Sequence, residues 1–175
     1  AKAYYDYCEI GTGCRNLLSF GAYDLENNKS DQSNRRRLFS QGTTSTDLKF
    51  QALDTDMITE HVRHSWYDES TSGKHPSQGM TAPQYGKEGA YSWLKAPRYG
   101  GDVYEVGPLA RMAVSYASGD EKIISMVDWA LEELSAPASA LFSVMGRHLA
   151  RALAAKFLSE KLEEWVLSLK PGDAT

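Results

Sequence analysis

Hydrophobic and polar positions give the chain two textures. From Asn16 to Asp54, runs such as "NLLSFGAYDL" and "LFSQGTTSTDLKFQAL" are aromatic and Thr-rich, and the polar stretch "ENNKSDQSN" breaks them. That pattern predicts two or three antiparallel strands joined by a loop. In "DTDMITEHVRHSWY", Met57, Ile58, Val62 and Trp66 recur at helical spacing behind Asp54 or Thr55 as an N-cap, with Asp56 in the first turn. The spacing predicts a short amphipathic helix over 55–67. Residues 68–89 hold four Gly and two of the six Pro within a polar stretch, which predicts a long surface loop. Residues 90–107, "AYSWLKAPRYGGDVYEVG", alternate bulky and polar side chains on both sides of Gly100-Gly101, the pattern of a hairpin.

The C-terminal half is helical in period. Pro108 stands at a favourable first-turn position and Gly119 at a stop, after which Asp120 caps "EKIISMVDWALEEL". A longer helix is expected from about Ala138 to Lys170, ending at Pro171-Gly172. Leu141, Met145, Leu149, Ala152 and Lys156 trace one stripe of it, with Phe142, Leu153, Phe157 and Leu162 beside them. At 1.5 Å per residue it would be roughly 45 Å long. So wide an apolar face needs more partner surface than one shorter preceding helix supplies. The chain therefore reads as α+β within a single domain or sub-domain. A small antiparallel sheet or hairpins occupy the N-terminal half, and long antiparallel helices of a bundle occupy 108–170.

Composition changes the picture mainly by exclusion. A formal charge of -4 and a pI near 5.6 give no field favouring nucleic acid or an anionic membrane, and the basic residues are scattered except at Arg35 to Arg37. No stretch reaches the roughly 20 apolar residues of a membrane span, and "AKAYYDYCEIG" has neither the basic nor the apolar region of a signal peptide, so a soluble chain is expected. Cys8 and Cys14 have five residues between them, a spacing of neither a redox pair nor a zinc knuckle, and they read as two free or incidentally paired thiols. "GTG" at 11–13 lacks the rest of a nucleotide fingerprint and reads as a turn. No nucleophile elbow or Cys-His pattern is visible.

His61 and His64 would share one face of the predicted helix, with His75 in the following loop. A metal is compatible with that spacing, but no third ligand can be assigned, and a structural role is the simpler reading. The alternative is that His64-Ser65-Trp66-Tyr67 packs at a partner surface, where rings with polar tips are enriched. Arg147 and Arg151 flank His148 on one helix face and read as a solvated or carboxylate-paired edge.

The strings "HSWY", "YSWLKAPRYGG" and "EVGPLARM", in this order and spacing, together with "NLLSFGAYD" upstream and "GRHLARA" in the long helix, closely resemble the large subunit of nickel-iron hydrogenases. The resemblance extends over nearly the whole chain. It implies a parent that oxidises H2 reversibly to protons and electrons and passes the electrons to an iron-sulfur small subunit. It also implies a nickel-iron centre held by two Cys-x-x-Cys pairs, one near each end of a much longer polypeptide. Neither pair is present here, and soft thiolates are what such a centre requires. The chain thus resembles a central section of the large subunit, expected to bind no metal and to be inactive alone, with the remaining parts of the large subunit as its natural neighbours.

By the same resemblance His64 lies toward the cluster nearest the active site, at the subunit interface. Trp66, Tyr67, Lys95, Arg98, Tyr99, Glu105 and Arg111 also match motif positions, with structural or interfacial roles. The parent is expected in the periplasm or at a membrane rather than in the cytoplasm, and the isolated section is expected to self-associate through uncovered helix faces. Three other readings stand beside this one: a respiratory-complex subunit of the same descent, a free-standing interaction module, and a small zinc protein.

Overall fold

The structure, a computed structural model, describes residues 7–26 and 35–172. Most of the polar stretch expected as a loop, 27–34, lies outside the described residues. The chain divides into two compact units, one made of Ala1–Gln51 with Glu105–Thr175 and the other of Ala52–Tyr104. As expected, the architecture is α+β, with two small antiparallel sheets toward the N-terminus and three helices toward the C-terminus.

In the first unit, β1 (Leu17–Asp24) and β2 (Arg37–Thr44) pair antiparallel, with Leu17 opposite Thr44 and Asp24 opposite Arg37. At the end of the pair next to the connection between the strands, Asp24 accepts from Arg35 at 2.9 Å and Arg37 at 3.0 Å. Helix α1 (Pro108–Ala117) packs on both strands and contributes Leu109, Met112 and Val114 to the core. It starts at Pro108, whose ring presets the helical φ and whose missing N–H is not needed in the first turn. Helix α2 (Glu121–Leu134) begins behind Asp120, whose carboxylate accepts from the Ile123 amide at 3.0 Å. Caps of this kind contribute about 1 kcal/mol.

The long C-terminal helix is shorter than its periodicity suggests. Residues Ala138–Phe142 form a separate 3-10 turn, and Ser143 is extended (φ -135, ψ 173) before α3 (Val144–Ser168). Ser143 enforces the break: its hydroxyl donates to the Ala140 carbonyl at 2.7 Å and accepts from the Gly146 amide at 3.0 Å. The stripe that α3 buries is Gly146, Ala150, Leu153, Ala154 and Phe157, while Leu162 is exposed. Small residues let the helix approach closely. At Gly146 an added Cβ would run into the Leu141 backbone. The core is thus Leu17, Leu38 and Phe39 from the hairpin against α1, α2 and α3, with the Phe39 and Phe157 rings edge to face at 5.7 Å.

The second unit overturns the helix expected over 55–67. The helical part of that span is Thr55–Met57, a 3-10 turn that Asp54 caps by accepting from the Asp56 amide at 3.0 Å. The chain then extends as β3 (Ile58–His61), paired antiparallel to β4 (Ala96–Tyr99) with Ile58 opposite Tyr99 and His61 opposite Ala96. Backbone on the other edge of β3 is also engaged, the Glu60 amide donating to Lys74 O at 2.9 Å and Glu60 O accepting from the Gly73 amide at 2.7 Å. The N-cap signal was real, but β-branched Ile58 and Thr59 find strand partners, and pairing overrides a short helical period.

The hairpin expected over 90–107 is also reassigned. Gly100 and Gly101 do reverse the chain, with φ of 57° and 87°, a left-handed pair that glycine adopts without strain. Tyr99 and Asp102 bond each other across the turn, at 3.1 and 3.0 Å. The strand partner of β4 is nevertheless β3. Residues 68–89 contain the 3-10 turns Glu69–Thr71 and Pro76–Gln78, each capped by the side chain before it, Asp68 and His75.

Candidate functional site

Two of the strings singled out in the sequence are laced together in the second unit. The Tyr91 amide donates to His64 O at 3.0 Å and the Trp66 amide to Ser92 O at 3.0 Å, a parallel bridge between Ser65 and Ser92. Ser65, buried between them, donates its hydroxyl to the Leu94 carbonyl. "HSWY" and "YSWL" therefore present their side chains as one surface. The His64 imidazole is exposed and stacks on Tyr91, centroids 5.8 Å apart and planes 24° apart, with Nδ1 3.3 Å from Gly89 O. Trp66 meets Trp93 at 5.2 Å, and Tyr67 meets the same ring edge-on at 5.5 Å. Lys95 Nζ stands 5.8 Å above the Tyr67 ring and 3.0 Å from Glu60 Oε2.

Beside this cluster lies an open groove of about 560 Å3, whose walls include His61, Arg63, His64, Tyr91, Lys95 and Arg98. Tyr99 is buried and turns its hydroxyl inward to accept from the Asp54 amide at 3.1 Å, while its ring meets Tyr104 at 5.1 Å. The ammonium of Lys87 holds the loop from within, donating to Val62 O at 2.9 Å, Tyr67 O at 3.0 Å and Glu69 Oε2 at 2.7 Å. It lay in the stretch read only as polar loop, and a lysine there carries no mark of an inward role.

Glu105 and Arg111 belong to the first unit. The Glu105 carboxylate receives Arg147 in a bidentate pair, Nε to Oε1 at 2.7 Å, and Arg147 also donates to Gly11 O. The bonded carboxylate pushes the guanidinium pKa further up. Glu105 backbone is engaged too, its amide donating to Asn16 O at 2.8 Å and its carbonyl accepting from Leu18 at 2.9 Å. Of the two readings of Arg147, the structure supports the carboxylate-paired one. Arg111 covers the Phe39 ring at 5.9 Å, and its buried Nε has no hydrogen-bond partner.

The metal reading of His61 and His64 loses its premise, because no helix puts them on one face. His61 Nε2 is 3.2 Å from Thr59 Oγ1, and His75 Nε2 is 3.1 Å from Thr55 O. Among the described residues no group of three or more His, Cys, Asp or Glu side chains gathers as a metal site, and Cys8 and Cys14 are free thiols.

A family model described as nickel-dependent hydrogenase matches residues 1–174. The chain belongs to that family. It is 33% identical over 192 residues to the uptake hydrogenase large subunit of Bradyrhizobium diazoefficiens, covering 94% of this chain and 32% of the relative. It is also 33% identical over 179 residues to the periplasmic [NiFeSe] hydrogenase large subunit of Desulfomicrobium baculatum, covering 99% of this chain and 34% of the relative. Among solved structures, the reduced Ni-Fe-Se hydrogenase of Desulfovibrio vulgaris Hildenborough superposes with a TM-score of 0.79 at 34% identity, over 99% of this chain and 36% of that one. The chain thus spans about a third of the length of the hydrogenase large subunits it matches. The donor set present, Cys8 and Cys14 with five residues between them, does not fit a nickel-iron centre that needs four thiolates in two close pairs, so no catalytic step is assigned to this chain. No helix is long and apolar enough to cross a membrane among the described residues.

Proposed function

We propose that these residues form the central section of a nickel-iron hydrogenase large subunit and carry scaffold and subunit docking, while the metal ligands come from other parts of that subunit. The parent reaction would be the reversible conversion of H2 into two protons and two electrons, the electrons leaving to an iron-sulfur small subunit. One observation carries this reading: large subunits about three times as long match the chain almost end to end, yet its two cysteines cannot make the four-thiolate set. By itself the section is inactive. The parent would work in the periplasm, as the periplasmic hydrogenase of Desulfomicrobium baculatum does, or at a membrane.

The docking face is the one bearing His64, Trp66, Tyr67, Lys95 and Arg98. Supporting it, Tyr91 and Leu94 are 77% and 79% exposed beside a cluster of rings and cations, the residue types that anchor protein interfaces. Elemental analysis for nickel, iron and zinc of the chain, purified without chelator, tests the first part. Substoichiometric metal throughout is expected, and stoichiometric nickel and iron would overturn the ligand assignment. A photo-crosslinker at Tyr91 in the full-length large subunit, co-produced with its small subunit, tests the second. A crosslink to the small subunit is expected, and its absence would overturn the docking face.

A further inference from the structure

The groove beside His64 has a sign. Although the chain as a whole carries a formal charge of -4, the groove is lined by Arg63, Lys95 and Arg98 with the imidazoles of His61 and His64, and no carboxylate is among its lining residues. Lys95 is neutralised by Glu60 at 3.0 Å. Arg63 and Arg98 are not. Among the described residues neither has a carboxylate within ion-pair distance. Arg98 uses Nη1 on its neighbour's carbonyl, Pro97 O, at 2.8 Å. Glu69, the acid whose carboxyl feels the charge of Arg63, is itself held by Lys87 at 2.7 Å.

We infer that this groove receives an acidic polypeptide face, with carboxylates of the small subunit seated on Arg63 and Arg98. The inference rests on the docking reading above and adds the chemistry of what docks. Guanidinium groups bind carboxylates through paired parallel N–H bonds, and unpaired ones on a closing surface must find such partners or lose solvation without return. A small inorganic anion fits less well. The groove is about 560 Å3, far larger than one phosphate, and its rim is apolar, with Tyr91 and Leu94 mostly exposed. Cations set within aromatic and aliphatic surface match an interface whose acidic residues steer and register the partner.

The test uses the full-length large subunit carrying a tag, co-produced with its small subunit, and reads the small subunit retained as salt rises from ~0.05 M to ~0.5 M. The double variant Arg63→Glu, Arg98→Glu is expected to cut retention by about 10-fold or more at the lowest salt. Arg63→Lys, Arg98→Lys keeps the charge but loses the paired bonds, and is expected to retain less than wild type and clearly more than the charge-reversed variant. The peptide crosslinked from Tyr91 is expected to contain Asp or Glu, and changing those to Lys should restore binding to the charge-reversed variant. Hydrogen exchange over 52–104 in each variant reports whether that unit is still folded. If Tyr91 crosslinks to the small subunit while folded charge-reversed protein retains it as well as wild type at every salt, the acidic-face inference is overturned and the docking face stands. If wild-type protein retains the small subunit only while inorganic phosphate is present and loses it when phosphate is removed, the groove is a small-anion site and the inference is equally overturned. If Tyr91 gives no crosslink, both fall together.

Discussion

The two units hold themselves together by different means. The unit of 1–51 and 105–175 buries a continuous apolar core of hairpin against three helices. In the unit of 52–104, the buried apolar side chains are Val62 and Tyr99. Its loops are fastened by named polar side chains: Lys87 donates to two carbonyls, Ser65 to Leu94 O and His75 to Thr55 O, while the Tyr99 hydroxyl accepts from the Asp54 amide. Burial is non-directional and shared among many neighbours, so volume-conserving exchanges in the first unit are tolerable. A polar clasp has one partner per atom, and losing it leaves that partner unsatisfied. The second unit is thereby free to expose rings and cations, because few of them are needed inside.

The sharpest way to break the contrast is Phe39→Ala. Phe39 is fully buried against Phe157 and Arg111, and truncating a buried Phe costs about 3–5 kcal/mol. Hydrogen exchange should show the loss across β1, β2 and α1. An effect under about 1 kcal/mol would mean that the core of the first unit is not what holds it.

Next in size is Lys87→Met, which keeps the stem and removes the ammonium. The Val62 and Tyr67 carbonyls lose a charged donor, a change of about 1.5–3 kcal/mol. Faster exchange is expected for the amides of Ser65, Tyr67 and Asp68, with the Phe39 region unchanged. Unaltered protection there would sink the idea that polar clasps hold this unit.

Gly146→Ala separates helix propensity from packing. On an exposed helix the exchange is worth about 1 kcal/mol in favour of Ala. Here the new methyl meets the Leu141 backbone, which cannot swing aside as a side chain would. Net destabilisation of about 1–3 kcal/mol is expected from urea unfolding, and net stabilisation would show that the Ser143 break is soft.

The same contrast explains what was legible in the sequence. The hairpin strands, α1 and α2 follow local signals: Pro108 at a helix start, Asp120 as a cap, bulky runs around a polar stretch. The burial pattern of the first unit is therefore largely local in origin. In the second unit, whether Ile58 extends or coils depends on β4, and no window around Ile58 contains that partner. The break at Ser143 was missed because a serine inside an Ala-rich period reads as helix until its hydroxyl is seen on Ala140 and Gly146. The resemblance named His64, Trp66, Tyr67, Lys95 and Arg98, which come together, and also Glu105 and Arg111, which serve the first unit. The partner of Arg147, 42 residues away, could not be read from spacing.

The smallest predicted effect refines the clasp at Lys87. Glu69 has its carboxyl pKa held below the usual 4.5, chiefly by the hydrogen bond from Lys87 and then by its charge. Depression means that the folded state favours the ionised form. Its stabilisation is fully present above about pH 4.5 and is lost as pH falls through the lower folded value. Asp68, beside it, is depressed by hydrogen bonds from Ser70 and titrates in the same direction. Glu69→Gln should therefore remove part of the acid-induced loosening of 68–73 and leave the Asp68 part. Lys87→Met, which takes away the main cause, should remove most of the same part, while Ser72 and Arg63 keep the rest. Glu69 is exposed enough for water and salt to screen the pair, so the change is expected to be small and to shrink further in high salt. Exchange rates across 68–73, measured from pH 5 down to about 3, read it directly. If Glu69→Gln lowered the acid slope while Lys87→Met left it at its wild-type value, Lys87 would act through its carbonyl bonds alone, and the contrast between the units would rest on neutral geometry rather than charge.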